Sequence, residues 1–272
     1  MMRAASEKSL KAATAVLNRL MSETDADTMT VAENLFGLSD LTQDSAAVRN
    51  ALTDPGRSSE DKRTLTRNLL DNNVTPQTVS IVEELASGNW SHPKDLTEAL
   101  ETLGTEAVFI AAEKEDKLAE VEEQLFRVNT FLAEQRELRI GLSDLGVGGP
   151  HERAHFAARF FADHLNRFTS RLVRRAVRLS IHGRLLSRLR YLSELASVRR
   201  NQVPAVVTVA QPLTEPQRQR LVANLEKRQG KRVLLHEVVE PDVLGGIHIL
   251  VGNQAINATV SSNLEQAKRA LA

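Results

Sequence analysis

The chain has 272 residues, of which 42% are hydrophobic, 26% are charged and only 4% are aromatic, and its 35 basic and 35 acidic residues give a net charge of zero. A core built mostly from leucine, valine, alanine and isoleucine favours helix-on-helix packing in a globular protein. The absence of cysteine excludes a disulfide framework, thiolate metal ligands and a thiol nucleophile.

Helical spacing of apolar residues dominates residues 6–200. The N-terminal segment lacks the apolar run of a secretory signal, and no apolar run approaches the ~20 residues that span a bilayer. We therefore expect a soluble chain that meets a membrane only through a partner. Short helices joined by short links predict compact bundles. The signals that start these helices are Ser58-Ser59-Glu60, Thr75-Pro76, Ser91-His92-Pro93 and Gly149-Pro150.

An internal repeat relates residues 31–56 to residues 121–146 without gaps. Eight of the 26 aligned positions are identical, whereas unrelated windows share about one or two. The repeating unit of about 90 residues is too long for a solenoid repeat and suits a duplicated small domain. The identical residues are Val31, Glu33, Leu35, Phe36, Arg49, Leu52, Asp54 and Gly56, repeated as Val121, Glu123, Leu125, Phe126, Arg139, Leu142, Asp144 and Gly146.

The periodicity changes at Gln202, where β-branched residues begin to alternate. The order strand, helix, strand predicts a parallel pair with a right-handed crossover, followed by a hairpin and a closing helix. The predicted elements are strands over 205–210, 233–239, 247–251 and 255–260, a helix from Thr214 to about Gln229, and a last helix from Ser262. The sequence thus predicts a mostly α chain with a small C-terminal α/β unit, divided into domains at 1–103, 104–200 and 201–272.

Glycine and histidine residues that could belong to a phosphate-binding or metal-binding site lack the neighbouring residues that such a site requires. The Gly245-Gly246 pair lacks the lysine and the spacing of a phosphate-binding loop, so we interpret it as a structural turn. The seven histidines show no metal-binding spacing, and His248 alternates with its strand neighbours. The sequence therefore predicts no catalytic residue, no metal site and no cofactor.

Charge is distributed unevenly along the chain. Residues 1–120 hold 21 acidic and 12 basic residues, whereas residues 151–200 hold 12 arginines and three acidic residues. Five of these arginines fall within an arc of about 100° on a helical wheel. They are Arg167, Arg171, Arg174, Arg175 and Arg178. Three interpretations stay open: a face that docks an acidic protein surface, a solvated face, and a nucleic-acid-binding face.

The segment from Val238 to Gly252 carries an apolar strand, Glu240-Pro241-Asp242, an aliphatic pair, Gly245-Gly246 and a second apolar strand. It resembles the C-terminal signature of the delta subunit of F-type ATP synthases, the oligomycin-sensitivity-conferral protein family. Gly245, Gly246 and Gly252 match the turns of that signature. The chain departs from the family pattern at three positions, Leu250, Asn257 and Thr259.

The resemblance implies a stator subunit without catalysis. Residues 104–200 are similar to the family's N-terminal helical bundle, and residues 1–103 resemble an extra copy of it. Family members link the alpha subunits of the catalytic head to the end of the peripheral-stalk b subunit, so that rotor torque drives ATP synthesis. The implied location is the cytoplasmic face of the bacterial cell membrane, with contact to the membrane only through the complex. The alternative is a helical nucleic-acid-binding regulator that uses the arginine-rich face.

Overall fold

A computed structural model describes residues 2–24, 26–70, 73–200, 202–230, 232–240, 246–251 and 254–259. None of the helices in these ranges combines the length and the apolarity that crossing a lipid bilayer requires. Within these ranges, the helices that precede the first strand are α1 Ala4–Glu23, α2 Thr28–Asp44, α3 Ala46–Thr53, α4 Ser59–Leu70, α5 Pro76–Ser87, α6 Pro93–Lys114, α7 Leu118–Glu134, α8 Arg136–Leu142, α9 Pro150–Phe160, α10 Arg167–Arg178 and α11 Leu185–Arg199.

The predicted helix starts are confirmed. α5, α6 and α9 each begin with a proline, whose missing N–H would have no partner in the first turn of a helix. The Thr75 hydroxyl caps α5 by accepting a hydrogen bond from the N–H of Thr78. The mostly α architecture therefore follows from local signals that the sequence carries at each helix start.

The chain divides into two compact units, Met1–Lys117 and Leu118–Ala272. The boundary expected at residues 103/104 falls inside α6, which is unbroken from Pro93 to Lys114. The division into three domains stays a prediction.

In the first unit, α2 packs along α6, and α1 and α4 pack on α5. The seam between α2 and α6 is apolar, with Leu35, Phe36, Leu100 and Leu103 at most 1% exposed. Gly104 is required in this seam, because a Cβ atom there would lie 2.7 Å from the ring of Phe36. The helices of this unit are therefore held by close side-chain packing along one long pair.

In the second unit, α7 packs along α11 and α9 packs on α10. Leu125, Leu172 and Leu189 are fully buried in this bundle. The same helix pairs are therefore used in both units, since α2 and α6 in the first stand where α7 and α11 stand in the second.

One side-chain hydrogen bond joins the two long helices in each copy. Ser39 of α2 donates to the carbonyl of Thr97 in α6, and Asn129 of α7 donates to the carbonyl of Leu186 in α11. Ser39 and Asn129 are ninety residues apart and Thr97 and Leu186 are eighty-nine apart, so the acceptors correspond after a shift of one residue in the last helix. Each bond fixes the register of one long helix pair.

A second pair of equivalent bonds lies at the turn between the second and third helices of each copy. Arg49 donates to the carbonyl of Thr42 at the end of α2. Arg139, ninety residues later, donates to the carbonyl of Leu132 at the end of α7. In both copies the guanidinium satisfies a helix-terminal carbonyl that has no partner within its helix.

Among the described residues, the C-terminal part forms a four-stranded sheet in the order β2-β1-β3-β4, and one helix packs on it. As predicted, β1 and β2 are parallel, and β3 and β4 form an antiparallel hairpin. The helix ends at Gly230, whose φ of 65° suits glycine. The elements are β1 Gln202–Val209, α12 Glu215–Gln229, β2 Arg232–Val239, β3 Gly246–Val251 and β4 Gln254–Thr259. The predicted last helix lies outside the described residues.

One face of the sheet forms a core of its own with α12. Alternate residues of three strands are buried there against Leu225, as the two-residue period of a strand requires. The strand residues of this core are Ala205, Val207, Val209, Val233, Leu235, Ile249 and Val251. All residues of this core follow Gln202, so the α/β part has a hydrophobic core that is separate from the bundle.

Candidate functional site

Among the described residues, no group of three or more histidines, aspartates and glutamates is placed to hold a metal ion. The candidate functional features are instead surfaces and the polar clusters that fix them. They lie on α10, on the sheet face opposite α12, at the end of α11 and at one loop end of the second bundle.

The five arginines of α10 are not equivalent in the structure. Arg167 and Arg174 are exposed, Arg171 and Arg178 are half-buried, and Arg175 is only 2% exposed. The Arg167 guanidinium lies 4.7 Å from the centre of the Phe168 ring, close enough for a cation–π contact. A single solvated face therefore does not describe these five side chains, and a surface role is open mainly to Arg167 and Arg174.

Of the three glycines in the C-terminal signature, Gly246 lies among the described residues. Gly246 begins β3 and pairs with Thr259 of β4. Gly245 and Gly252 lie outside the described residues. His248 is exposed while Ile249 beside it is buried, which agrees with the predicted alternation.

The sheet face opposite the α12 core borders a cavity of about 400 Å³ in the second unit. Its walls come from both the sheet and the helices α7 and α11. The strand residues that line it include Val206, Thr208, Val238 and Leu250. Leu250 is 37% exposed, so an apolar side chain stands open to solvent at one of the positions that departs from the family pattern.

A buried carboxylate ties α7 to the end of α11. Glu122 is fully buried, accepts a hydrogen bond from the Ser197 hydroxyl and pairs with the Arg200 guanidinium at 2.8 Å. Burying a charge is costly unless it is paired and hydrogen-bonded, so these partners are required for Glu122 to occupy this place. The cluster fixes the last turn of α11 just before β1 begins at Gln202.

The first copy has no such cluster. With the one-residue shift in the last helix, the places of Glu122, Ser197 and Arg200 are taken there by Ala32, Val108 and Ala111, all of which are buried and apolar. Only the second copy is followed by a sheet, so the polar cluster occurs where the end of the bundle must be joined to another element.

Asp144 clamps two loops at one end of the second bundle. Its carboxylate accepts hydrogen bonds from the N–H groups of His182 at 2.6 Å and Gly183 at 2.9 Å. These residues adopt positive φ angles of 53° and 67°, which are strained for histidine. The N–H of Gly183, with help from that of His182, holds the pKa of Asp144 below its usual value.

Sequence reasoning did not find the Glu122 cluster or the Asp144 clamp. A signal existed for both. Glu122 interrupts an apolar helix face at the place where the first copy has Ala32, and Asp144 is one of the identities of the repeat. The first-copy residue Asp54 accepts instead from Gly56 in its own turn, so identity at this position did not reveal the contact between loops.

Comparison with known proteins gives consistent matches. The profile of the family described as ATP synthase delta (OSCP) subunit matches residues 105–271. The ATP synthase subunit delta of Beutenbergia cavernae is 37% identical over 272 residues, which cover all of both chains. The ATP synthase subunit delta of Streptomyces coelicolor is 36% identical over 271 residues, covering 100% of this chain and 98% of that protein.

A chain from the cryo-EM structure of the Toxoplasma gondii mitochondrial ATP synthase hexamer is more distant. It matches with a TM-score of 0.39 and 19% identity over 61% of this chain and 94% of that chain. A likeness at this level adds nothing to the assignment, which depends on the family profile and on the full-length relatives.

A helical chain with a small C-terminal α/β part and matches of this kind is a non-catalytic stator subunit of the F-type ATP synthase. The chain belongs to the ATP synthase delta (OSCP) subunit family. The relatives match along the whole chain, so the first unit, which lies almost entirely outside the family profile, is shared with them. The alternative of a nucleic-acid-binding regulator is not supported by these matches.

The Glu122 cluster yields a stability prediction. Glu122→Met leaves the Ser197 hydroxyl and the Arg200 guanidinium without their acceptor, which is expected to lower the free energy of unfolding by about 3 kcal/mol. The triple variant Glu122→Met/Ser197→Val/Arg200→Met removes those groups and is expected to regain most of the loss. Urea unfolding followed by circular dichroism measures both differences.

Glu123→Met is the matched control, because the neighbouring Glu123 side chain is 63% exposed and makes only a surface pair with Arg127. Its effect should stay within about 0.5 kcal/mol. A triple variant as unstable as Glu122→Met would contradict the assignment of the loss to unpaired buried groups.

The Asp144 clamp predicts a pH dependence. Because its pKa is lowered in the folded chain, the clamp stabilises the fold above the unfolded pKa of about 3.9, and this contribution is lost as the pH falls through the folded pKa. Asp144→Ala should therefore lower the thermal midpoint at pH 7, and the difference from the wild type should shrink below about pH 4. The exposed Asp163→Ala serves as control, and a difference that persists unchanged at low pH would exclude the charge as its cause.

Proposed function

We propose that this subunit links the alpha subunits of the catalytic head to the peripheral-stalk b subunit, so that the head does not turn with the rotor and torque drives ATP synthesis. The observation that carries the proposal is the family match, which spans the bundle of the second unit and the sheet. A linker of this kind needs two separate binding surfaces and no reactive group. The bundle and the sheet have separate cores and can supply one surface each.

The head contact is assigned to the bundles. The resemblance to the family implies that an alpha subunit contributes a short helix from its N-terminus. A short amphipathic helix binds by laying its apolar face into a groove between helices, and slow release follows from the apolar area that is buried. The two bundles have the same helix order, so each is suited to a helix of this kind.

The stalk contact is assigned to the C-terminal α/β part. Its sheet is covered by α12 on one face, while Val206, Thr208, Val238 and Leu250 lie on the other face beside the cavity. An apolar face of this kind suits the end of a long stalk helix, which can bury its own apolar stripe there. With both contacts made, the subunit lies at the cytoplasmic face of the cell membrane as a peripheral part of the complex.

The exposed arginines of α10 are assigned to docking an acidic partner surface. Exposed ion pairs contribute only about 0–1 kcal/mol each, so Arg167 and Arg174 orient the partner rather than supply most of the affinity. Arginine suits this role because its planar fork binds a carboxylate with two hydrogen bonds.

Truncation separates the two contacts. A chain ending at Arg200 should keep its helical circular dichroism and its co-purification with alpha subunits, because the bundles are retained. It should lose co-purification with the b subunit. Retention of the b subunit at wild-type level by a folded truncated chain would place the stalk contact on the bundles instead.

Charge reversal tests the arginine face. Arg167→Glu/Arg174→Glu is expected to weaken assembly of the subunit into the complex, more at about 50 mM salt than at about 500 mM salt, because salt screens exposed charges. The thermal midpoint of the isolated chain should change little. Arg220→Glu/Arg228→Glu on the exposed side of α12 is the control for the change in net charge. Equal assembly of all variants at low salt would remove α10 from the partner surface.

A further inference from the structure

The junction between the second bundle and the sheet is short. α11 ends at Arg199, and β1 begins at Gln202. The N–H of Arg200 still donates to the carbonyl of Ala196, so the last helical turn continues into the junction. Linkers that let two parts of a chain turn freely are longer and contain many small, flexible residues. The connection here has little slack, so the side chains around it decide how far the sheet can turn.

Packing between the sheet and the second bundle is incomplete beyond this junction. The cavity of about 400 Å³ lies between three strands of the sheet and the helices α7 and α11. In a continuous core, side chains of both layers would interlock there and hold the layers at one angle. An open cavity leaves that angle free to vary unless another interaction fixes it. The angle of the sheet must therefore be set at the junction.

Helical spacing places the Glu122 cluster in line with the cavity. On α7, Glu122 precedes the cavity residues Phe126 and Asn129 by four and seven positions. On α11, Ser197 follows the cavity residue Ser193 by four positions. Residues at these intervals lie on one side of a helix. The cluster therefore belongs to the helix faces that line the cavity, at the end where the chain passes from α11 into β1.

The geometry of the cluster resists bending at the junction. One carboxylate oxygen of Glu122 accepts from the Ser197 hydroxyl, and the other accepts from the Arg200 guanidinium at 2.8 Å. The Glu122 side chain is fully buried, and that of Arg200 is 24% exposed. A turn of the junction would draw the guanidinium away and leave a buried charge unpaired, which is costly. Apolar surfaces, in contrast, can slide past each other by small steps.

The first copy shows the same helix where no sheet follows. After the shift of one residue, Ala111 takes the place of Arg200, and it lies inside α6, which continues to Lys114. Ala32 and Val108 take the other two places and are fully buried. The bundle fold therefore forms with apolar side chains at all three positions. The polar cluster accompanies the sheet, which indicates a role at the junction rather than in the bundle.

We propose that the Glu122 cluster is a rigid joint that holds the sheet at one angle to the second bundle. Glu122 is a positioning residue, because it orients the start of β1 through Ser197 and Arg200. The use of such a joint depends on the proposed function, in which the bundle and the sheet bind different subunits. A fixed angle keeps these two binding surfaces at a constant separation under load, whereas a loose joint would bend and absorb part of the torque.

Distances between spin labels in the full chain test the joint directly. The chain has no cysteine, so nitroxide labels attach only at introduced cysteines. His155→Cys on α9 and Ala223→Cys on α12 place one exposed label on the bundle and one on the α/β part. Double electron–electron resonance of this doubly labelled chain should give one narrow distance distribution. A broad distribution would overturn the proposal.

Variants of the cluster are measured with the same label pair. Glu122→Met/Ser197→Val/Arg200→Met is expected to widen the distribution about twofold or more, because apolar groups restore packing without the directional tie. Arg200→Ala changes only the partly exposed partner and should widen it as well. Arg200→Lys keeps the charge and should restore most of the wild-type width. An unchanged width in either of the first two variants, once folded, would overturn the proposal.

Two controls separate the joint from the bundle and from surface charge. Glu123→Met removes the exposed neighbour of Glu122 and should leave the width unchanged. A second label pair, His155→Cys/Tyr191→Cys, lies within the bundle, where both residues are exposed. Its distance distribution should stay the same in every variant. A widening of this pair equal to that between bundle and sheet would assign the effect to the bundle and overturn the joint.

The purified complex separates this inference from the proposed function. Complexes that carry Arg200→Ala should keep the alpha and b subunits at wild-type ratios, because neither binding surface is changed. Their proton-driven ATP synthesis should fall while ATP hydrolysis is retained. Failure of the wild-type chain to co-purify with alpha and b subunits would overturn the proposed function, and the label distances would still decide the joint. Unchanged synthesis by complexes with a widened distribution would overturn the role of the joint under load.

Discussion

The long helix pair in each copy is the constraint on which the other helices depend. In the first copy α2 lies along α6, in the second α7 lies along α11, and the seam of each pair is nearly free of solvent. Each pair is held in one register by a side chain of the first helix that donates to a backbone carbonyl of the second. Once these pairs are fixed, the shorter helices have only the remaining apolar faces to cover.

Much of this fold could be predicted from the sequence because the signals are local. Proline and hydroxyl residues mark the helix starts, and the change to a two-residue period at Gln202 marks the sheet. The internal repeat also predicted two bundles of the same kind. The parallel pair and the hairpin were predicted from the order of the elements, whereas the place of β3 beside β1 was not.

The functional surfaces could not be predicted in the same way, because they depend on contacts between distant residues. The wheel of α10 places five arginines on one side but does not show that Arg175 is buried. Glu122 finds its buried partners only where the end of α11 packs against α7.

The place of α6 in the chain order has a consequence for how such a protein can arise. It is the sixth helix of the first copy, and at a shift of ninety residues it also aligns with α1, the first helix of that copy. The duplicated segment therefore adds five helices instead of six, and its ends fall within a helix rather than in a loop.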